Sequence, residues 1–278
     1  TYKQKILLLG GTMKKVLLVL AVIFIGTAVK AQTNDSIPEV EEIDIKETVY
    51  KYVGRTVKDT TVVYKPITSF QVRFGFVNMA KDNQFANSDF GYLRSTGFEF
   101  GVVQRRPFSK KSNLLGIKYG LTLSYNSVAA TDNRVFVLDG NQTVLQTSPQ
   151  NLRKAHTFFR NSYVNIPIAL DFDFSTKEYN AANRKFITKD RINFGLGGYV
   201  AYNINSKQFV SYKDENGYKI TEKQHGKWNV NDFDYGLMAY VGKGDIKLYG
   251  KYGLAPVFKN NAQDQKYWTL GIQIELGN

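Results

Sequence analysis

The sequence predicts an all-β protein, an eight-stranded antiparallel up-and-down transmembrane β-barrel with a short N-terminal periplasmic extension. Three observations favour this fold. Eight segments alternate between apolar and polar residues with a period of two, as half-buried strands do. A secretory leader precedes them, and no segment shows a comparable helical periodicity. An even number of alternating segments, each close to the length of a tilted membrane strand, is typical of outer-membrane barrels.

The N-terminal part of the chain has the pattern of a leader followed by a polar segment. Residues 13–31 begin with Met and two lysines, continue as an apolar stretch and end in Val29-Lys30-Ala31, which fits signal-peptide cleavage better than a retained anchor. Residues 1–12 precede a better start codon and are interpreted as over-extended translation. Residues 32–67 are polar and predict a periplasmic N-terminal segment. The barrel domain is predicted over 68–278.

The strands of the predicted barrel follow one another with regular alternation. They are expected at 68–78, 95–105, 113–126, 163–174, 191–205, 231–242, 245–255 and 267–276. The fourth, YVNIPIALDFDF, shows the pattern most clearly, because apolar side chains occupy every even position and two carboxylates, Asp171 and Asp173, share the other face. We expect the apolar face to contact lipid and the opposite face to line the lumen.

The polar faces carry acids and bases in equal number. The six bases are Arg73, Arg105, Lys118, Arg191, Lys247 and Lys251, and the six acids are Glu99, Asp171, Asp173, Asp232, Asp234 and Glu275. A soluble β-sandwich is the alternative fold, but it would spread such charges over a solvated surface with no need for balance. Eight strands leave an interior that side chains just fill, and buried charges must be paired. These twelve residues therefore predict a structural ion network in a plugged lumen.

Composition excludes several functional classes. The chain has 37 Lys and Arg against 24 Asp and Glu, but five of the lysines belong to the leader and the rest are scattered. Nucleic-acid binding is therefore not expected. Cysteine is absent, which excludes disulfides, thiolate metal sites and a cysteine nucleophile. The two histidines, His156 and His225, fall in predicted loops, so neither a metal site nor a cofactor is expected.

Connection lengths predict the orientation. Long connections follow the first, third, fifth and seventh strands, whereas residues 107–112 and 243–244 form short turns. Long loops lie outside the cell and short turns lie in the periplasm in such barrels. Asp139-Gly140 and Asn216-Gly217 predict hairpins that project beyond the bilayer. The connection 175–190 is longer than this rule predicts.

The segment SYVNIPIAL resembles the Tyr-x-x-Ile-Pro strand of PorT-type outer-membrane β-barrel proteins of Bacteroidota, a family with an OmpA-like eight-stranded barrel. INFGLGGYVAYNI, FDYGLMAYVG and the closing WTLGIQIELG are similar to later strands of that family. The resemblance covers roughly 68–278, although the chain ends in Leu-Gly-Asn rather than in an aromatic residue. In this family Pro commonly occupies the position of Pro167, where a bulge or kink is therefore expected. The resemblance implies outer-membrane location and, for some members, a role in type IX secretion.

Three functions remain open from the sequence. The first is a non-enzymatic outer-membrane barrel that acts as a structural or interaction protein, in contact with outer-membrane lipid and lipopolysaccharide. The second is an accessory component of an outer-membrane secretion or assembly complex, bound to larger outer-membrane proteins or, through 32–67, to a periplasmic partner. The third is a lipid-modifying enzyme, which would need His156 close to a nucleophile such as Ser162 and an acid that orients it.

Overall fold

Eight long strands form the body of the protein in a computed structural model that describes residues 64–85, 89–152, 157–180, 185–189 and 192–277. These are β1 (Ile67–Lys81), β2 (Thr96–Ser109), β3 (Ser112–Ala129), β6 (Thr157–Asp173), β9 (Ile192–Lys213), β11 (Phe233–Lys243), β12 (Ile246–Gly253) and β13 (Gln265–Leu276). Five shorter strands complete three hairpins: β4 (Arg134–Asp139), β5 (Gln142–Thr147), β7 (Thr176–Asn180), β8 (Lys185–Lys189) and β10 (Lys219–His225). The predicted segments 1–12 and 13–31, and nearly all of 32–67, lie outside the described residues.

The eight long strands close into a ring. Each pairs antiparallel with its neighbours in chain order, and β1 pairs with β13 from Phe70↔Leu276 to Lys81↔Gln265. No edge is left open in the ring, because β6 and β9 are also paired along their length. The predicted eight-stranded antiparallel up-and-down barrel is confirmed. In the ranges that the structure covers, no helix has the length and apolar character needed to cross a membrane.

The outer wall of the barrel is apolar, as the alternation predicts. Leu196, Leu248 and Ile272 are among the large apolar side chains left exposed on it, with exposed fractions of 60%, 62% and 49%. Their strand neighbours point inward and are polar or small. A continuous apolar surface of this kind needs lipid around it, since its exposure to water would have a large free-energy cost.

The two ends of the barrel differ. The turn end holds the start of β1, the close of β13, and the tight turns between β2 and β3 and between β11 and β12. The β7–β8 hairpin also lies at this end, which explains why the connection 175–190 is longer than expected. The loop end holds the four long connections. Gly140 and Gly217 adopt positive φ in the turns of β4–β5 and β9–β10, so a hairpin is confirmed at both predicted positions.

The irregularity predicted at Pro167 occurs elsewhere. The register between β3 and β6 is the same on both sides of the proline, with Tyr119↔Ile168 and Thr122↔Asn165, so no residue is inserted there. The missing N–H of proline interrupts the ladder without shifting it. The register shift lies at Ser162/Tyr163, opposite the part of β9 that contains Ile204. Of the two irregularities expected at Pro167, a bulge or a kink, the bulge is therefore absent.

Candidate functional site

The lumen contains three ionic clusters, and Glu99 on β2 is the centre of the first. Its carboxylate accepts hydrogen bonds from Arg73 Nη1 and Lys251 Nζ, each at 2.9 Å, and from Thr122 Oγ1 at 2.8 Å. Arg73 donates from Nε to Gln273 Oε1 at 2.8 Å. Arg73 and Glu99 are buried, so both charges depend on these partners rather than on water.

The second cluster joins Arg105 on β2 to Asp171 on β6. The two side chains form a buried ion pair, and Arg105 also donates to the Asn113 side-chain and backbone oxygens at 2.5 and 2.6 Å. The other carboxylate oxygen of Asp171 accepts from the Tyr240 hydroxyl at 2.5 Å. Asn113 Nδ2 in turn donates to Asp173 Oδ2 at 2.5 Å. Every polar group of the pair therefore has a partner.

The third cluster places one acid between two lysines. Glu275 on β13 is ion-paired with Lys118 on β3 and, at 2.6 Å, with Lys247 on β12. Gln273 Nε2 donates to Glu275 Oε1 at 2.5 Å, so this glutamine links the first and third clusters. β3 and β13 are not neighbours in the ring, and the Lys118–Glu275 pair consequently spans the lumen.

Tyrosine rings fill the space between the charged groups. The Tyr240 ring lies under two ammonium groups, 4.8 Å from Lys118 Nζ and 5.6 Å from Lys247 Nζ. Gly195 makes room for it, because a Cβ at that position would lie 2.2 Å from the ring. The space at Gly195 is therefore occupied by a tyrosine ring that contacts both lysines.

Four of the twelve predicted network residues need separate comment. Asp232 does not belong to the network, since it lies exposed at the loop end, where it pairs with Lys259 at 2.8 Å. Arg191 lies outside the residues that the structure describes. Asp173 and Asp234 face the lumen but are half-buried near its two ends; Asp234 accepts from the Tyr199 hydroxyl at 3.0 Å. The inward-facing position of a residue does not give its height along the barrel, which is why Asp232 was misplaced.

The sequence analysis also missed uncharged members of the clusters. It considered only ionisable side chains, whereas the amides and hydroxyls on the same face complete the hydrogen bonding. These residues are Asn113, Thr122, Tyr240 and Gln273. Their inward-facing positions in the alternating strands were the signal that could have found them.

The cavities left in the lumen are small. One of about 20 Å³ is lined by residues that include Glu99, Tyr163, Asp234, Lys251 and Tyr267. Another of about 10 Å³ lies closer to the turn end, against Gln71, Lys118 and Pro167. A water molecule needs roughly 10–15 Å³ of such volume. Each cavity therefore has room for about one water, far less than a hydrated ion requires.

An aromatic cap, which the sequence analysis did not predict, covers the lumen at the loop end. It consists of Phe90, Phe136, Phe159, Trp228 and Phe258, all buried. The ring of Phe136 lies at its centre, 4.6 Å from Phe159, 5.8 Å from Phe258 and 6.1 Å from Phe90 between centroids. Phe136 comes from the β4–β5 hairpin, so this hairpin folds over the mouth of the barrel.

Two side-chain amides hold the hairpin in place as a neighbouring strand would. Gln208 on β9 accepts from the Phe136 N–H at 2.6 Å and donates to the Phe136 carbonyl at 3.0 Å. Asn261 makes the equivalent pair of bonds with Thr143 on β5, at 2.9 and 2.8 Å. The Thr143 hydroxyl also donates to the Trp228 carbonyl at 2.5 Å. Both edges of the hairpin are thereby fixed above the lumen.

These features define a barrel of the outer-membrane type, with an apolar outer wall, an ion-paired lumen and a capped mouth. No family model matches the chain, and no curated protein matches it. Among solved structures, the chain is similar to Ail, the attachment invasion locus protein of Yersinia pestis, with 10% identity and a TM-score of 0.30 over 77% of this chain and 100% of that one. A second structure of Ail, in complex with the heparin analogue sucrose octasulfate, gives a TM-score of 0.29 at the same identity and coverage.

Proposed function

We propose that the protein is a non-enzymatic integral outer-membrane barrel with a closed lumen, and that it acts as a structural or interaction protein through its loop end. The loop end would face the outside of the cell, after export by a cleaved signal peptide. The observation that carries this proposal is the set of ion pairs that connect non-neighbouring strands. Lys118–Glu275 joins β3 to β13, and Lys251–Glu99 joins β12 to β2.

A lumen crossed by such pairs has no continuous aqueous path. Opening it would require breaking buried ion pairs, and leaving one partner of such a pair unpaired costs about 3–5 kcal/mol. The aromatic cap adds a second, apolar barrier above the clusters. We therefore expect a passive scaffold rather than a channel.

Single-channel current recording in planar lipid bilayers tests this proposal. The purified full chain, shown to be folded by heat-modifiable migration on gels, should insert without a steady conductance. A stable, ohmic and ion-selective current from the monomer would show that the lumen is open and that the protein is a channel.

A role as accessory component of an outer-membrane secretion or assembly complex is the second candidate. It is supported by the resemblance of the Pro167 strand to PorT-type barrels. It is also supported by the β9–β10 hairpin, because among the described strands β10 pairs with β9 on one edge and with no strand on the other. Such an edge can accept another chain by strand addition. Stoichiometric co-purification with a larger outer-membrane protein from detergent-solubilised membranes would support this role, and recovery of the tagged chain alone would count against it.

The described residues give little support to a lipid-modifying enzyme. His225 is exposed on β10, and no acid within the described ranges lies at ion-pair distance from it. A catalytic histidine needs an orienting acid and a nearby nucleophile. His156 lies outside the described residues. The mass of lipid A from a deletion strain would reveal such an activity.

A further inference from the structure

One outward face of the β6–β9–β10 sheet is strongly basic above the apolar wall. Lys207, Lys213, Lys219 and Lys223 share one side of the β9–β10 hairpin, since Lys219 pairs with Lys213 and Lys223 with Phe209. Arg160 on β6 lies directly opposite Lys207 and therefore on the same side. We call these five residues the basic face.

Within the described parts of the chain, no carboxylate lies within 4.0 Å of any of the five residues of the basic face. Glu222, the acid on β10, points to the other side of the hairpin, where it accepts from the Tyr212 hydroxyl at 2.7 Å. Asp214 and Glu215 lie at the tip of the hairpin rather than on this side. Other lysines at the loop end do have acids nearby, such as Lys259 with Asp232.

Arg160 is held in a fixed position without an anionic partner. Its guanidinium lies over the Phe158 and Phe209 rings, 5.2 and 4.9 Å from their centroids, and its Nε is buried without a hydrogen-bond partner. Stacking on aromatic rings leaves the edge of a guanidinium free for bidentate contact with a phosphate. The arrangement is therefore suited to an anion that approaches from the side.

The height and direction of the basic face identify the source of that anion. On β6, Arg160 lies four residues before the lipid-facing position of Val164, which places it roughly 13 Å closer to the loop end along the strand. Tyr202 pairs with Val164, and its ring contacts Phe233 at 5.3 Å, as aromatic residues do at a membrane–water interface. The basic side chains point sideways, away from the barrel axis, like the lipid-facing residues below them.

We propose that the basic face binds the phosphate groups of lipopolysaccharide in the surrounding outer leaflet. This inference rests on the proposed location in the outer membrane and adds to it a lipid partner and the residues that bind it. Each Lys or Arg near an anionic lipid surface adds about 1 kcal/mol of attraction, which makes five unneutralised bases a substantial anchor.

Native mass spectrometry of the purified full chain in detergent tests the proposal with lipid A as the probe. Lipid A that carries two phosphates should bind, and the same lipid A after removal of its phosphates should bind at least about tenfold more weakly. The triple variant Arg160→Gln, Lys207→Gln and Lys223→Gln should bind the phosphorylated form as weakly as the unmodified protein binds the dephosphorylated form.

The matched control is the triple variant Lys81→Gln, Lys259→Gln and Lys266→Gln. It removes the same number of charges at the loop end, from lysines that lie within 4.0 Å of Asp89, Asp232 and Asp264. Its binding should change by no more than about twofold, because distant surface charges are screened. Equal losses in both triple variants would overturn the proposal, as would equal binding of the two lipid forms.

Displacement of bound lipid A by a soluble sulfated polysaccharide would also overturn it, since the face would then select a soluble polymer. Failure of the lipid-binding proposal can be distinguished from failure of the proposed function. A triple variant that keeps heat-modifiable migration, inserts without conductance and binds lipid A like the unmodified protein would reject the lipid site alone. A chain that does not insert into bilayers at all would reject the barrel function itself.

Discussion

The barrel wall and the aromatic cap place polar and apolar groups in opposite ways: the barrel is polar inside and apolar outside, and the cap is apolar inside and polar outside. At the level of the apolar wall the interior is ionic, with Glu99 and Asp171 buried among bases, while Leu196 and Ile272 are exposed outside. At the loop end the interior is aromatic around Phe136, and lysines cover the outer face. The difference shows that each region orders its side chains for its own surroundings, lipid for the wall and water for the cap.

The two interiors are also stabilised differently. In the lumen each charged group depends on specific partners, so the loss of one acid leaves a base buried without compensation. In the cap the rings contribute mainly through burial and packing, which are spread over many contacts. Substitutions in the two regions should therefore differ in how far their effects extend.

The largest effect is expected for Glu275→Ala in the lumen. The substitution leaves Lys118 and Lys247 buried without their shared acid, which should lower the free energy of unfolding by about 3–5 kcal/mol. Urea titration, followed by the gel shift between folded and unfolded forms, measures this. Asp232→Ala is the control, because its exposed pair with Lys259 should contribute at most about 1 kcal/mol. Similar losses in both variants would mean that the lumen pairs are solvated.

In the cap, Phe136→Ala should be comparable in size but local in extent. Truncation of a buried phenylalanine typically costs about 3–5 kcal/mol. We expect proteases to cleave the β4–β5 hairpin rapidly while the barrel itself keeps its heat-modifiable migration. Leu138→Ala on the same strand is the control, since Leu138 is 51% exposed and its removal should leave cleavage unchanged. Unfolding of the entire barrel by Phe136→Ala would contradict the separation of the two regions.

On the outer wall, Leu196→Arg or Ile272→Arg should cost roughly 2–4 kcal/mol if these positions lie at mid-bilayer. The same urea titration applies, carried out in lipid vesicles. Tyr218→Arg provides the comparison, because Tyr218 is 72% exposed at the tip of the β9–β10 hairpin. Equal tolerance at all three positions would refute the assignment of the lipid-facing side.

The smallest effect is expected for Gln208→Ala, which tests the connection of the cap to the barrel. It leaves the buried N–H and carbonyl of Phe136 without their amide partner, at a cost of about 1–3 kcal/mol. Hydrogen exchange at the Phe136 amide should accelerate. Gln224→Ala, which removes only the neighbouring side chain that contacts Gln208 at 3.2 Å, should leave this exchange nearly unchanged.

The sequence was sufficient to predict the strands of the barrel wall but not the pairing of charged side chains in the lumen. Period-two alternation assigned the number of strands and the inward side of Arg73, Lys247 and Glu275. Which base pairs with which acid depends on the stagger between strands, and alternation does not specify that stagger. The pairing of Lys118 with Glu275 on a distant strand could therefore not be predicted.

The elements at the loop end could not be predicted, because the alternation of apolar and polar residues changes there. Near Ile204 the register shift reverses the side of β9 that faces inward, from Tyr199 and Ala201 to Ser206 and Gln208. The alternation in the sequence therefore breaks there, although the strand continues to Lys213. In β4, Val135 and Val137 are also apolar, so no one-sided pattern marked Phe136 as the side chain that would enter the cap.

The pairing of the first strand with the last makes the barrel an all-or-none assembly. Every other neighbouring pair in the ring can form as soon as two consecutive strands are available, but the free edge of β1 stays unpaired until β13 has been synthesised. A chain shortened by its last strand would expose two unpaired edges in lipid, where no water can satisfy their hydrogen bonds. Loss of even the few residues around Leu276 should thus affect biogenesis more than any loop deletion, because it removes part of the pairing that closes the ring.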